Sequence, residues 1–231
     1  YIWGLSYEEA VTLIVNDLID ETPSDISLLA TIFNENIDAG SVVATLSTTD
    51  DDASDTHTYS LVSGTGDTDN ESFIIEGSEL KINSSPDYET KSSYNIRLKT
   101  IDSGGLSYEK SVTLNVDDVN DVSTDISLSS SSFNENIDAG SAVASLSTTD
   151  EDSSDSHTYT LVSGTGDTDN GSFTIEGSNL KINSSPDYES QSSYSVRLKT
   201  TDSGGLSYEE AITLSVNDLI DTGTLVADIN E

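Results

Sequence analysis

Residues 93–100 read SYNIRLKT, and the alternation within this stretch decides the fold. In an extended chain Tyr94, Ile96 and Leu98 fall on one side, while Asn95, Arg97 and Lys99 fall on the other. The same period of two runs through SVVATLS (Val42, Ala44, Leu46), HTYSLV (Tyr59, Leu61), SFIIEG (Phe73, Ile75), ELKIN (Leu80, Ile82) and LSYEKSVTLNV (Val112, Leu114, Val116). These segments are predicted to be half-buried strands. Between them lie GTGDTDN, EGS, NSSPD and DSGG, whose Gly, Pro, Asn and Asp residues suit tight turns. Short strands with turn signals at regular spacing predict an all-β fold, an antiparallel Greek-key sandwich of immunoglobulin-like architecture.

The pattern occurs twice. Residues 24–120 and 124–220 align without a gap at an offset of 100, from DISL through FNENIDAGS, HTY, LVSGTGDTDN and LKINSSPDYE to DSGGLSYE. A period of this length is one sandwich domain per copy. The expected organisation is 1–20 as the last strand and linker of a preceding domain, 21–121 and 122–221 as domains placed end to end, and 222–231 as a tail or the start of a further segment. The first assignment rests on GLSYEEAVTLIVNDLID at 4–20, which matches GLSYEKSVTLNVDDVND at 105–121 and GLSYEEAITLSVNDLID at 205–221. Such an orphan strand exposes an unpaired edge. It pairs with the run TLVADI at 224–229, pairs with another chain, or stays unpaired.

Composition excludes several function classes. With 43 acidic against 8 basic residues and a formal net charge of −35, the chain lacks the Lys and Arg that bind a phosphate backbone or an anionic membrane surface, so no nucleic-acid partner is expected. No run approaches the roughly 18 apolar residues of a membrane helix, so no direct membrane insertion is expected. No basic-then-apolar leader opens the sequence, which is read as an internal piece of a longer chain. Without Cys, no disulfide holds it together and another staple is expected. Acidity alone also suits disorder, but a disordered chain has no reason to alternate regularly.

The acidic residues gather at strand ends. Asp50 and Asp52 follow VVATLST, Asp87 and Glu89 stand in PDYE, and Asp118 and Asn120 stand in the linker DVND, each pair at the spacing that puts two side chains on one side of an extended chain. Glu35 in NEN and Asp102 in the DSGG turn join them. Two carboxylates about 5 Å apart repel by roughly 3 kcal/mol at an effective dielectric near 20. Calcium offsets this well, because it takes about 6–8 hard oxygen ligands in tolerant geometry. Magnesium demands a stricter octahedron, and zinc favours His or Cys. The loop GDTDN, with Asp67, Asp69 and Asn70, is open to two readings, a separate calcium cradle or a tight loop using its preferred residues. His57 and His157 are read as strand-surface residues.

As a set, these motifs resemble the cadherin repeat, in the form found in large bacterial surface proteins and RTX-type adhesins. Glu35 in NEN is similar to that family's early Glu, Asp87 and Glu89 to its Asp-x-Glu motif, Asp118, Asn120 and Asp121 to its linker, Asp50 and Asp52 to its Asp-x-Asp motif, and Asp102 to its late Asp. The resemblance implies calcium (Ca2+) between successive domains. The central junction then uses Glu35, Asp87, Glu89, Asp118, Asn120 and Asp121 with Asp150, Asp152 and Asp202. An upstream junction uses Asp17 and Asp20 with Asp50, Asp52 and Asp102, and a downstream one uses Glu135, Asp187, Glu189, Asp218 and Asp221. Val122 stands where the family has a final linker Asn, and Ile19 and Ile220 stand where Asn120 does, which implies fewer ions at the outer junctions.

The function expected is a calcium-rigidified extender in an extracellular, cell-surface adhesin, with calcium ions and neighbouring repeats as its partners. The alternatives are a direct adhesive module for glycans or for a second copy, and a surface-fibre subunit completed by strand exchange. Paired carboxylates can serve as acid and base. Their recurrence at every junction is not something catalysis requires, so the chain is read as no enzyme.

Overall fold

SYNIRLKT forms most of a nine-residue strand, Ser93–Ile101, in which Tyr94, Ile96 and Leu98 are buried and Asn95, Arg97 and Lys99 face outward. The computed structural model describes Glu8 and residues 19–220. Residues 1–7 and 9–18, with the expected orphan strand and Asp17, lie outside the described residues, as do residues 221–231, with Asp221 and the TLVADI run. The chain divides into two compact units, Tyr1–Asp118 and Val119–Glu231.

The first unit contains β1 (Asp25–Leu28), β2 (Ile32–Asn34), β3 (Val42–Thr49), β4 (Thr58–Leu61), β5 (Phe73–Glu76), β6 (Glu79–Ile82), β7 (Ser93–Ile101) and β8 (Ser107–Asp117). One sheet has the order β1-β3-β6-β5 and the other β2-β8-β7-β4, so the chain crosses between sheets repeatedly, as a Greek-key sandwich requires. In the second unit, β9 (Asp125–Leu128), β10 (Ser132–Asn134), β11 (Ala142–Thr149), β12 (Thr158–Leu161), β13 (Phe173–Glu176), β14 (Asn179–Ile182), β15 (Ser193–Thr201) and β16 (Ser207–Asn217) repeat the plan, in sheets β13-β14-β11-β9 and β10-β16-β15-β12. The fold is all-β, and no helix among the described residues is long and apolar enough to cross a membrane.

Each core is closed by inward residues of both sheets. Ile26, Leu80, Ile82, Ile96, Leu98 and Leu114 are fully buried in the first unit, with Phe33, Phe73 and Tyr94 packed edge-on or tilted at centroid distances of 5.3–6.4 Å. Phe133, Phe173 and Tyr194 repeat that aromatic trio in the second unit.

Two features depart from simple alternation. Val42 is 46% exposed, although the period of two places it inward with Ala44 and Leu46. The pairing of β3 with β6 shifts register between Val42 and Ala44, so Val43 and Ala44 both turn inward and Val42 is rotated out. The second departure is a parallel ladder within an otherwise antiparallel sandwich: Ile32, Phe33 and Asn34 pair with Asn115, Val116 and Asp117. β1 and β2 are close in the chain yet belong to different sheets, β1 beside β3 in the first and β2 beside β8 at an edge of the second.

Candidate metal centre

The parallel ladder assembles the first group of carboxylates. Glu35 follows β2 directly and Asp118 follows β8, so the pairing of Asn34 with Asp117 brings the two next residues together, and the Glu35 N–H donates to the Asp117 carbonyl at 3.2 Å. Glu89 enters from the turn before β7. Oxygens of Glu35, Glu89 and Asp118 all lie within 4.8 Å of one another, as do those of Glu135, Glu189 and Asp218 in the second unit. Glu35 is 2% exposed, and the Tyr88 N–H donates to its Oε2 at 2.6 Å. Asn36 adopts a left-handed φ of 58°, which Asn tolerates better than most residues, and its N–H reaches the Pro86 carbonyl at 2.9 Å. NEN is thus a bend that turns Glu35 into the unit.

Asp87 and Glu89 bring carboxylate oxygens within 4.8 Å of one another, as expected, but from a turn and not along an extended chain. Asp87 caps a turn, accepting from the Thr90 N–H at 2.8 Å and from the Thr90 hydroxyl at 2.7 Å, and these two bonds hold its carboxyl below the ordinary value. Asp187 binds Ser190 in the same way.

A second group collects in the first unit around the loop after β3 and the hairpin between β7 and β8. Oxygens of Asp50, Asp55 and Asp102 lie within 4.8 Å of one another, as do those of Asp20, Asp52 and Asp55. Asp50 and Asp52 also leave the extended line expected for them, because the Asp52 N–H turns back to Asp50 Oδ1 at 3.2 Å. His57 is no plain surface residue: its side chain is 14% exposed, its Nε2 sits 2.9 Å from Asp50 Oδ2, and that hydrogen bond holds the Asp50 carboxyl below its ordinary value. His157 and Asp150 repeat the pair at 2.8 Å, and Ser123 also donates to Asp150.

The linkers set the remaining positions. Asp121 donates its N–H to Asp152 Oδ2 at 2.6 Å, and the Asn120 Nδ2 donates to Asp202 Oδ2 at 3.2 Å. In the first unit the residue that donates its N–H to Asp52 is Glu21, at 2.7 Å. A Cβ added to Gly204 collides with the Asn120 side chain, and one added to Gly104 collides with that of Asp20. Asp20, not Ile19, therefore occupies the place of Asn120. The segment Asp17–Asp25 is one residue longer than Asp118–Asp125, and the extra residue leaves Ile19 70% exposed. The change of offset from 101 before the linker to 100 after it carries that signal in the sequence. Ile220, at the Asn120 position of the last linker, is 95% exposed.

The donor set fits a hard cation. Ligand oxygens about 2.3–2.6 Å from a common centre lie at most about 5 Å apart, the spread these triplets show. Asp102 is 6% exposed; its Oδ1 accepts from the Leu106 N–H at 2.8 Å, while its buried Oδ2 accepts no hydrogen bond. Desolvation, then the charges of Asp102, Asp55, Asp52 and Asp50, push the Asp20 carboxyl above its ordinary value. A divalent ion removes both penalties. The GDTDN loop resolves differently: Asp69 accepts from Lys91 Nζ at 2.5 Å and from the Asn95 N–H at 2.7 Å, and in the second copy Gln191 and the Ser195 N–H take these places at 2.9 and 2.7 Å. Its carboxylate braces the loop against the strand.

Each unit is thus a cadherin-like β-sandwich domain with acidic clusters suited to hard cations. A family model, the Cadherin domain, matches residues 129–217. The fold is similar to human protocadherin-24 EC1-2, with a TM-score of 0.61, 23% identity, and coverage of 87% of this chain and 100% of that one. It is also similar to protocadherin gamma B2 extracellular cadherin domains 3-6, with a TM-score of 0.55, 22% identity and coverage of 85% and 48%. A third similar structure is protocadherin gamma B7 extracellular cadherin domains 1-4, at 0.53, 24%, 84% and 51%. The chain spans about half the length of these last two fragments. Among curated proteins, none matches the sequence.

Proposed function

We propose that the chain is a calcium-stiffened extender of an extracellular, cell-surface adhesin, in which calcium orders the linkers between repeats. The observation that carries this reading is the meeting of Glu35, Glu89 and Asp118 where the chain leaves the first repeat, matched by Glu135, Glu189 and Asp218 in the second. At the central linker the set is Glu35, Asp87, Glu89, Asp118, Asn120 and Asp121 with Asp150, Asp152 and Asp202. Before the first repeat it is Asp17, Asp20, Asp50, Asp52 and Asp102, and after the second it is Glu135, Asp187, Glu189, Asp218 and Asp221. Calcium supplies the charge that lets these carboxylates converge on the linker without repulsion. Extracellular modules bind it at about 0.1–1 mM, an affinity suited to calcium-rich surroundings.

Calcium titration of the whole chain, followed by thermal unfolding of wild type and Asp118→Ala, tests the reading. At tenfold over Kd each filled site adds about 1.4 kcal/mol, a Tm gain on the order of 5–10 °C that Asp118→Ala reduces. Chelator is expected to change the small-angle scattering while the far-UV circular dichroism of the sandwiches stays. Identical melting and scattering with and without calcium would contradict the proposal. Gly204→Ala is expected to displace Asn120 and weaken calcium binding in calorimetry, while its calcium-free stability stays within about 1 kcal/mol of wild type, since the colliding group is a movable side-chain end.

A further inference from the structure

The loop after β3 carries two carboxylates that this ligand set leaves out, Asp51, which is exposed, and Asp55, which is half-buried. The Asp55 N–H donates to the Asp52 carbonyl at 3.0 Å, closing a turn, and the Ser103 hydroxyl donates to Asp55 Oδ1 at 2.6 Å. The other oxygen, Oδ2, is buried and accepts no hydrogen bond. Asp155 repeats every part of this: its N–H reaches the Asp152 carbonyl at 3.0 Å, Ser203 donates to Oδ1 at 2.5 Å, and Oδ2 is buried without a hydrogen bond. The neighbours differ between copies, with Asp51, Ala53 and Thr56 against Glu151, Ser153 and Ser156, yet the orphaned oxygen recurs.

Leaving such an oxygen unsatisfied is costly, and here the cost is raised by the company it keeps. Asp55 belongs to both carboxylate triplets around this loop, beside Asp50 and Asp102 in one and Asp20 and Asp52 in the other. Asp102, nine-tenths buried, adds a second oxygen in the same condition. A loop brace needs only the oxygen that Ser103 reaches, which an Asn supplies without the negative charge. We propose that Asp55 and Asp155 are direct ligands of the cation, and that Asp50, Asp55 and Asp102 let a repeat hold a calcium ion with its own loop and hairpin, before any linker residue joins. The inference rests on the reading that these carboxylates bind calcium.

Calcium calorimetry on the whole chain separates the possibilities. The pair Asp55→Asn and Asp155→Asn is expected to lower the affinity of the sites it touches by roughly tenfold or more, because ligand charge sets affinity in such sites. Asp51→Asn with Glu176→Gln removes equal charge from exposed positions outside the carboxylate clusters and is expected to cost less than about twofold, as screened charges do. Ser103→Ala with Ser203→Ala breaks the brace, keeps the carboxylates and is expected to retain most of the affinity. Equal losses from the Asp55 pair and the Asp51 pair overturn the proposal. So does a loss from the serine pair as large as that from the Asp55 pair, or an Asp55 pair that lowers only calcium-free stability. Absence of calcium binding by wild type is a different result, and it removes the extender reading itself.

Discussion

Glu35→Gln is expected to leave calcium-free melting of the first repeat close to wild type while abolishing most of its calcium-dependent gain; Glu35→Ala is expected to lose both. Glu35 is 2% exposed and its Oε2 accepts the Tyr88 N–H at 2.6 Å, so it has a structural duty besides any ionic one. Gln keeps an acceptor oxygen for that N–H, removes the charge and puts an amide NH2 where the other carboxylate oxygen stood. Ala leaves the N–H without that acceptor, which costs about 1–3 kcal/mol, and adds the loss of the buried side-chain methylenes. Thermal melts of both variants with calcium and with chelator read the difference. A full calcium shift in Glu35→Gln would mean that the cation is not held through this carboxylate.

Leu98→Ala is expected to destabilise the first repeat by about 2–5 kcal/mol, and Leu198→Ala the second by a similar amount. Both leucines have no exposed surface, on β7 and β15, each of which supplies three buried apolar residues to its core. Against a typical domain stability of about 5–15 kcal/mol, either change removes a large share of the reserve. The adjoining Arg97, paired at 3.1 Å with Glu109 on the outer face, offers the contrast. Its replacement by Ala removes a surface ion pair worth about 0–1 kcal/mol, together with exposed hydrogen bonds to the Thr65 carbonyl and the Ser111 hydroxyl, and is expected to cost less than Leu98→Ala. Urea denaturation of the three variants measures these differences, and a cost below about 1 kcal/mol for Leu98→Ala would remove it from the core.

The strands were legible because burial on one face writes itself into a period of two. Tyr94, Ile96 and Leu98 carry that signal, and they are buried as it predicts. A bulge inserts one residue without changing composition, so nothing in SVVATLS announces that Val42 turns outward. Carboxylate spacing was a weaker guide than strand spacing. Asp87 and Asp52 sit in turns made by their own hydrogen bonds, where an extended-chain argument does not apply. The proximity of Glu35 to Asp118 follows from a parallel pairing between residues far apart in the chain, which local pattern cannot express. Nothing in the local pattern singles out Asp55, because the oxygen that does so is the one left over after Ser103 binds the other.

The ladder between β2 and β8 also determines how a repeat answers tension. One strand lies near the start of the repeat and the other at its end, and they run in the same direction. A pull on the two chain ends therefore drags them past each other along their own axes. Their hydrogen bonds are loaded together in shear instead of being unzipped in turn. Glu35 and Asp118 follow at the very end of that ladder, so an ion gripped by both acts as a rivet at the point where the load enters the fold.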